Sequence, residues 1–281
     1  MIATHTVSRE TLMHVVRTLP AAPQILAQLG HLLLDVNSDL SDITTLLKRD
    51  AALTTRIIRI SNSAIYNTGK PFSSIEEALA RVGFTEVYRL TGFAAAAQLA
   101  DQKLSFYGIS GAQLRENALL TALIMETLAE VTDIDSRMAY TAGLLRSTGK
   151  VAIDRLAKST SVATGFEAGS HDSLAAWEKA YIGLTNVEAC GTILSEWRFP
   201  VDTVEATRDH YLTRAVKLPI TNLLNLAAGS AERRSYGLPG EAKYWEITPE
   251  KLARAGLDEQ QLDEAVVRAM DSFHQLRAAV A

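Results

Sequence analysis

The sequence lacks the features that mark several large classes of protein. It contains one cysteine, Cys190, which excludes an intramolecular disulfide and a zinc site built from paired cysteines. Its longest apolar stretch, residues 118–125, is far shorter than the roughly 20 apolar residues of a membrane span. Residues 1–6 show no basic segment leading into an apolar one, so no secretion signal is evident. We therefore expect a soluble protein of the cytoplasm with no membrane partner.

The chain also lacks an excess of basic residues. It carries 28 Lys and Arg against 32 Asp and Glu, which gives a formal net charge of −4. Contacts between basic side chains and phosphates supply much of the affinity of a protein for nucleic acids. We therefore do not expect a nucleic-acid partner.

What the sequence does contain is a helical pattern of apolar residues along nearly its whole length. The pattern begins with Leu12, Val15, Val16 and Leu19, at the spacing of three and four residues that places side chains on one helix face. The alternation of every second residue that is typical of strands is scarce. With 281 residues, 47% of them hydrophobic, the chain can bury a core without disulfides or a structural metal. The sequence therefore predicts an all-α protein.

Local motifs for catalysis or metal binding are weak. Residues 143–150 have the glycines and the lysine of a phosphate-binding loop, but one residue too many separates the glycines and no strand precedes them. We interpret Gly149 instead as the glycine that ends a helix. No two histidines lie four residues apart on one helix, so no local zinc motif is present. His171 and Asp172 are adjacent potential ligands, but they lie at the end of a polar stretch, residues 159–171, that we predict to be an exposed loop.

Several longer segments together resemble the HDOD family, the helical regulatory domains of bacterial signalling proteins that are related to HD-type metal phosphohydrolases. These segments are LPAAP at 19–23, DAALTTRIIRISNSA at 50–64, SSIEEALARVG at 73–83, AGLLRSTGK at 142–150 and WRFP at 197–200. The resemblance implies an HD-domain-like fold of two packed helical lobes with extra carboxyl-terminal helices. It places an HDOD-like domain at 8–230, made of an amino-terminal lobe at 8–105 and a degenerate HD-like lobe at 111–230, and a carboxyl-terminal helical extension at 231–281.

The resemblance also implies which residues stand where an HD phosphohydrolase holds its metal ions. Such a site needs a histidine on one helix, a His-Asp pair at the end of the next and a later aspartate, because two cations must share their ligands. In this sequence Asn117 takes the place of the first histidine, and Arg146 and Ser147 take that of the pair. Alanines 227–228 lie near the place of the later acid, and of a further pair of histidine positions only His210 remains. Because a guanidinium has no lone pair and a permanent charge, Arg146 would repel a metal ion. We therefore expect no catalytic residues, no metal and no cofactor.

On this basis we expect a non-catalytic signalling or regulatory module that acts through protein–protein interaction with a partner of unknown identity. The candidate lining of the degenerate pocket is Asn117, Arg146, Ser147, Lys150 and His210, and the candidate partner surface is Arg56, Arg59, Asn62 and Tyr66. Asn62 could equally close its helix in a purely structural role, and the two arginines could be an ordinary solvated face.

Two alternatives stay open. Arg146 and Lys150 could hold the phosphate of a nucleotide or cyclic dinucleotide without cleaving it, which would make the protein a sensor. Less favoured is a residual metal-dependent phosphohydrolase that holds its metal with other residues, such as His171 and Asp172.

Overall fold

The computed structural model describes residues 7–67, 69–159, 165–166, 171–212, 218–245 and 247–280. Within these ranges the chain forms helices and no strand, and its one extended pairing is an isolated bridge between Leu104 and Ile109. The prediction of an all-α fold is confirmed. Most of the predicted loop at 159–171 lies outside the described residues.

The helices follow one another with short links. The first six are α1 (Arg9–Arg17), α2 (Ala22–Leu32), α3 (Leu40–Leu47), α4 (Ala51–Ser61), α5 (Ile75–Val82) and α6 (Phe84–Leu99). The next seven are α7 (Gly111–Ala129), α8 (Ser136–Leu145), α9 (Thr148–Ser159), α10 (Leu174–Ile182), α11 (Asn186–Glu196), α12 (Val201–Asp209) and α13 (Pro219–Arg233). A single 3-10 turn (Ala242–Tyr244), α14 (Pro249–Arg254) and α15 (Glu259–Val280) complete the described chain.

Helix α7 lies at the centre of the packing, with α8, α13 and α15 against it. Its start is fixed by Ser110, whose side chain accepts from the N–H of Gln113 while Gln113 reaches back to Ser110. The contact between α7 and α8 is close because Gly143 has no side chain: a Cβ there would lie 2.7 Å from the Cα of Ala122. This approach brings the end of α8 beside the middle of α7.

The packing of α1 differs from the predicted lobe boundary. The range 8–105 includes α1 in the amino-terminal lobe, whereas α1 packs on α9 and α11. Arg155 of α9 donates a hydrogen bond of 2.5 Å to the carbonyl of Thr18, at the end of α1. Below, "first lobe" means α2–α6 and "second lobe" means α7–α13.

The helices of the predicted extension are part of the same core. Helix α15 packs along α7, and α14 and the 3-10 turn pack on α13. The buried apolar side chains of both lobes and of α14 and α15 form one connected cluster. Among the described residues, no helix combines the length and the apolar character that crossing a bilayer requires.

Candidate functional site

The five predicted pocket residues come together inside the second lobe. Asn117 lies in the middle of α7, Arg146 and Ser147 link α8 to α9, Lys150 lies in the first turn of α9, and His210 directly follows α12. All five side chains are buried, with Arg146 1% exposed and Lys150 fully enclosed. They therefore line the interior of the lobe and not an open groove.

Arg146 is held by two polar partners and an aromatic ring. Its Nη2 donates to Oδ1 of Asn117 at 2.7 Å, and its Nη1 donates to Oε2 of Glu241 at 2.9 Å. The amide of Asn117 donates in turn to the carbonyl of Tyr236 at 2.6 Å. The guanidinium carbon lies 5.5 Å from the ring centre of Trp245. Glu241 and Trp245 both come from the predicted extension, which therefore closes the site.

Lys150 contacts the other oxygen of the same carboxylate. Its Nζ lies 3.1 Å from Oε1 of Glu241 and donates to the hydroxyl of Tyr211 at 3.1 Å. The Tyr211 hydroxyl donates to the same Oε1 at 2.6 Å. We call Arg146, Lys150, Tyr211 and Glu241 the charged cluster.

The charged cluster keeps Glu241 ionised despite complete burial. Burial alone would raise the pKa of this carboxyl, but Arg146, Lys150 and the Tyr211 hydrogen bond outweigh it and lower the pKa from 4.5 to about 2. Two basic side chains thus share this buried anion. A paired carboxylate of this kind is costly to remove, because it would leave the cations without a counter-ion.

His210 lies next to the charged cluster as a neutral ring. Burial, together with the charge of Arg146, lowers the pKa of its imidazole from 6.5 to about 3. Its Nδ1 lies 2.8 Å from the carbonyl of Thr207, and its own carbonyl accepts from Asn225 at 2.7 Å. Because a carbonyl can only accept, the ring donates through Nδ1, and Nε2 has no hydrogen-bond partner among the described residues.

A second buried carboxylate lies on the other side of Lys150. Glu178 of α10 accepts from the hydroxyl of Tyr107 at 2.5 Å, from the backbone N–H of Asn186 at 2.8 Å and from the Asn186 amide at 2.9 Å. Burial raises the pKa of the Glu178 carboxyl, while Lys150 and these hydrogen bonds act in the opposite direction. The Lys150 ammonium lies 5.0 Å from the ring centre of Tyr107, whose hydroxyl donates to Glu178.

The metal ions that an HD-type fold implies do not fit these residues. Arg146 and Lys150 occupy the place in the lobe that the resemblance aligns with the metal site. Their side chains carry hydrogen-bond donors and no lone pairs. Within the described ranges no three His, Cys, Asp or Glu side chains are grouped so that they could hold a metal ion. Asp172 is exposed, and the ring of His171 contacts Tyr181 at 5.7 Å between centroids, so the alternative ligand pair belongs to the surface beside α10.

The four residues of the predicted partner surface divide into two kinds. Arg59 is exposed and Arg56 is partly buried on α4, and neither side chain has a polar partner among the described residues. Asn62 instead fixes the chain after α4: it accepts from the N–H of Phe72 at 2.6 Å and donates to its carbonyl at 2.9 Å. Tyr66 donates to Glu86 of α6 at 2.6 Å. The structural role considered for Asn62 is the one that these bonds describe.

Sequence reasoning missed Glu241, Tyr211, Glu178 and Tyr107, which complete the polar interior. None of them belongs to a recognisable motif. The sequence offers one signal for a missing carboxylate: two cations that are predicted to lie inside a lobe require a counter-ion nearby. That requirement does not say where along the chain the carboxylate lies.

Comparisons with known proteins agree with this architecture. An HDOD domain protein of unknown function from Geobacter sulfurreducens superposes with a TM-score of 0.67 at 21% identity, over 97% of this chain and 98% of that one. A Marinobacter aquaeolei VT8 protein, provisionally named a signal transduction protein, superposes with a TM-score of 0.71 at 20% identity, over 99% of this chain and 62% of that one. A Shewanella amazonensis SB2B protein, provisionally named a phosphohydrolase, superposes with a TM-score of 0.64 at 21% identity, over 99% of this chain and 100% of that one.

Sequence relationships give the family. An uncharacterized protein of Treponema pallidum (strain Nichols) is 24% identical over 272 residues, which are 93% of this chain, and the chain spans about half, 51%, of that relative's length. The HDOD domain matches residues 19–213, well over half of the chain. The chain therefore belongs to the HDOD domain family.

Proposed function

We propose that this protein is a non-catalytic regulatory module of a bacterial signal-transduction pathway and acts through protein–protein contacts. The observation that carries the proposal is the charged cluster, in which Arg146 and Lys150 occupy the interior where an HD phosphohydrolase gathers metal ligands. The provisional name of the Marinobacter relative, a signal transduction protein, agrees with this role. The provisional name of the Shewanella relative, a phosphohydrolase, is the alternative to be tested.

Charge and hydrogen bonding support the proposed absence of catalysis. A divalent ion beside Arg146 would meet a guanidinium that cannot lose its proton and offers no lone pair. Both oxygens of Glu241, the nearest carboxylate, are already bonded to Arg146, Lys150 and Tyr211. A metal ion would therefore have to displace side-chain cations from their only shared anion.

Turnover measurements test this part of the proposal. We expect no hydrolysis of bis(4-nitrophenyl) phosphate or of nucleotides above the buffer rate with Mn²⁺, Mg²⁺ or Fe²⁺. Metal-dependent hydrolysis by the wild type would contradict the proposal. If that activity were lost in the variant His171→Ala/Asp172→Ala, the residual phosphohydrolase would be the correct description.

The interaction surface that we propose is the outer face of α4. Arg59 is exposed and Arg56 is partly exposed, neither has a side-chain partner among the described residues, and such charges are available to an acidic surface. The double variant Arg56→Glu/Arg59→Glu should abolish retention of a protein partner in affinity capture from the source cell. The matched control is Arg233→Glu/Arg234→Glu, which changes the net charge equally on an exposed part of the second lobe.

The two pairs are matched in their local effect as well. Arg59 lies in the last turn of α4 and Arg233 in the last turn of α13, so each reversal places an acid near the negative end of a helix. A partner retained by the wild type and the control and lost with the α4 variant supports the proposal. Equal retention of the partner by both variants would show that the interaction surface is not the outer face of α4.

The nucleotide sensor remains the second candidate because Arg146 and Lys150 converge on one anionic group, as they would on a phosphate. In the structure that group is Glu241, so a ligand phosphate would have to displace it. Calorimetric titration of the wild type with cyclic dinucleotides and guanosine polyphosphates separates the two candidates. Saturable binding to the wild type would favour the sensor, and no heat across the panel would leave the interaction module.

A further inference from the structure

A cavity of about 380 Å³ lies between the two lobes, apart from the charged cluster. Its walls come from α2 and α6 of the first lobe and from α8 and the start of α12 of the second. Side chains that decide its character include Leu34, Tyr88, Met138, Thr141 and Phe199, which are mostly apolar. Its volume lies in the range of roughly 300–1,000 Å³ that is common for small-molecule sites.

Gly30 keeps this cavity open at a cost to helix α2. A glycine inside a helix is about 1 kcal/mol less favourable than alanine. The helical glycines Gly92 and Gly143 are required by packing, since a Cβ would lie 2.9 Å from Tyr140 and 2.7 Å from Ala122, respectively.

At Gly30 no such requirement exists. The nearest atom to its Cβ would be the Tyr88 hydroxyl at 3.5 Å, an ordinary van der Waals distance, and its φ is not positive. Packing and backbone both accept a side chain here. What the glycine preserves is the open space above Tyr88.

The hydrogen bonds of the wall define the polar group that a ligand needs. Thr141 donates its hydroxyl hydrogen to the carbonyl of Arg137 at 2.7 Å. In the 2.7 Å contact between Thr141 and Tyr88, the donor is therefore Tyr88. The Tyr88 oxygen keeps its capacity to accept, so the matching ligand group is a hydroxyl or an N–H.

The rim of the cavity does not favour a charged ligand. Asp135 and Arg137, the charged residues of opposite sign at the rim, form an ion pair of 3.6 Å. Leu34 is 68% exposed on the α2 side and adds apolar surface. An uncharged, mostly apolar molecule loses the least hydration in entering such a space.

We propose that the inter-lobe cavity binds a small, uncharged, apolar molecule that carries one hydroxyl or N–H donor. The ligand lies between the lobes and contacts both, so its binding stabilises their relative arrangement. This inference goes beyond the proposed function, because it gives the module a chemical input that is separate from its protein-contacting face on α4.

N-phenyl-1-naphthylamine is a suitable probe for the full chain, because it is uncharged, has one N–H and fluoresces in apolar surroundings. We expect saturable binding of one molecule to the wild type. Gly30→Leu fills the cavity and should raise the Kd at least about tenfold, which corresponds to about 1.4 kcal/mol. The matched control Gln24→Leu adds the same side chain on the exposed face of α2 and should leave the Kd unchanged.

Circular dichroism and thermal unfolding show whether each variant folds. Met138→Trp obstructs the opposite wall and serves as a second blocking variant if Gly30→Leu does not fold. Tyr88→Phe should weaken binding of the probe about two- to tenfold, the effect of one hydrogen bond. It should leave binding of 1-benzylnaphthalene, which replaces the N–H by a methylene, unchanged.

Absence of saturable binding to the wild type would overturn the proposal. So would equal affinity of the wild type and both blocking variants, because the probe would then bind elsewhere. If Tyr88→Phe affected neither probe, the assignment of a donor-bearing ligand would be wrong.

Discussion

Glu241→Gln is the substitution that most directly tests the charged cluster. It keeps the size of the side chain and removes the carboxylate charge that both Arg146 and Lys150 contact. Glu241 and Lys150 are fully buried and Arg146 is 1% exposed, so solvent cannot compensate the two cations. Removing one partner of a buried ion pair costs about 3–5 kcal/mol of unfolding free energy. We expect a loss of this size at pH 7.

The pH dependence of the same variant provides an independent measure. The pKa of Glu241 is lowered from 4.5 in the unfolded chain to about 2 in the fold, so its charge stabilises the protein above pH 4.5. That stabilisation is lost as the pH falls from 4.5 through 2. Each pH unit in this window changes the unfolding free energy of the wild type by about 1.4 kcal/mol. The difference in unfolding free energy between the wild type and the variant should therefore shrink by about 2 kcal/mol between pH 5 and pH 3.

Urea unfolding followed by circular dichroism measures both quantities. The control is Glu130→Gln, which breaks the exposed pair with Arg268, whose side chains are 49% and 52% exposed. Exposed pairs contribute about 0–1 kcal/mol, so this control should be nearly as stable as the wild type. If Glu241→Gln cost no more than Glu130→Gln, or if its deficit were the same at pH 5 and pH 3, the reasoning about the charged cluster would be refuted.

Three further predictions concern other parts of the molecule. The pKa of His210 is about 3 in the fold and 6.5 in the unfolded chain, so between these values only the unfolded chain binds the proton. The free energy of unfolding of the wild type therefore decreases as the pH is lowered from 6.5 towards 3. In urea unfolding, the difference in unfolding free energy between the wild type and His210→Gln should change by about 2 kcal/mol between pH 6.5 and pH 5; a constant difference would contradict the neutral ring. Asn62→Ala removes two bonds to the backbone of Phe72 and should cost about 1–3 kcal/mol in thermal unfolding, whereas the exposed Asn37→Ala should cost less than about 0.5. Gly30→Ala should stabilise the protein by about 0.5–1 kcal/mol, and a lower Tm would show that the cavity wall does not accept a Cβ.

Helix positions could be predicted from the sequence because their signals are local. The stripe that begins at Leu12 forms α1, and Asp50 and Thr185 accept the backbone hydrogen bonds that start α4 and α11. Pro219 opens α13, as its fixed φ allows at a first helical position. Each of these features depends on residues within one turn of helix, which the sequence lists side by side.

The interpretation of Gly149 as the end of a helix was wrong, because a tertiary contact determines this position. It does not end a helix but lies in the first turn of α9. A Cβ there would lie 1.8 Å from the carbonyl oxygen of Asn186, so the glycine is required by the approach of α9 to α11. Nothing within the neighbouring residues reveals a partner that is more than 30 positions away.

The candidate site was predictable in part. The resemblance predicted that Asn117 and Arg146 line one pocket, and the structure brings the two side chains to within 2.7 Å of each other. The closing contribution of Glu241 could not be predicted, because the residue follows a turn outside any periodic pattern. A pocket was expected at these residues, and Glu241 and Trp245 of the extension occupy it.

The charged cluster also restricts how the proposed regulatory module can transmit a signal. The matched HDOD region, residues 19–213, contains both cations, whereas their carboxylate, Glu241, lies outside it. A movement that withdrew Glu241 while the two cations stayed enclosed would leave both without their counter-ion, and each unpaired buried ion costs several kcal/mol against a total stability of about 5–15 kcal/mol. A partner would have to supply this energy out of its binding free energy, which is about 8 kcal/mol at a Kd of 1 μM. If the proposed function is correct, we therefore expect the contacts that carry a signal to involve outer faces such as α4, or the space between the lobes, and to leave the polar interior closed.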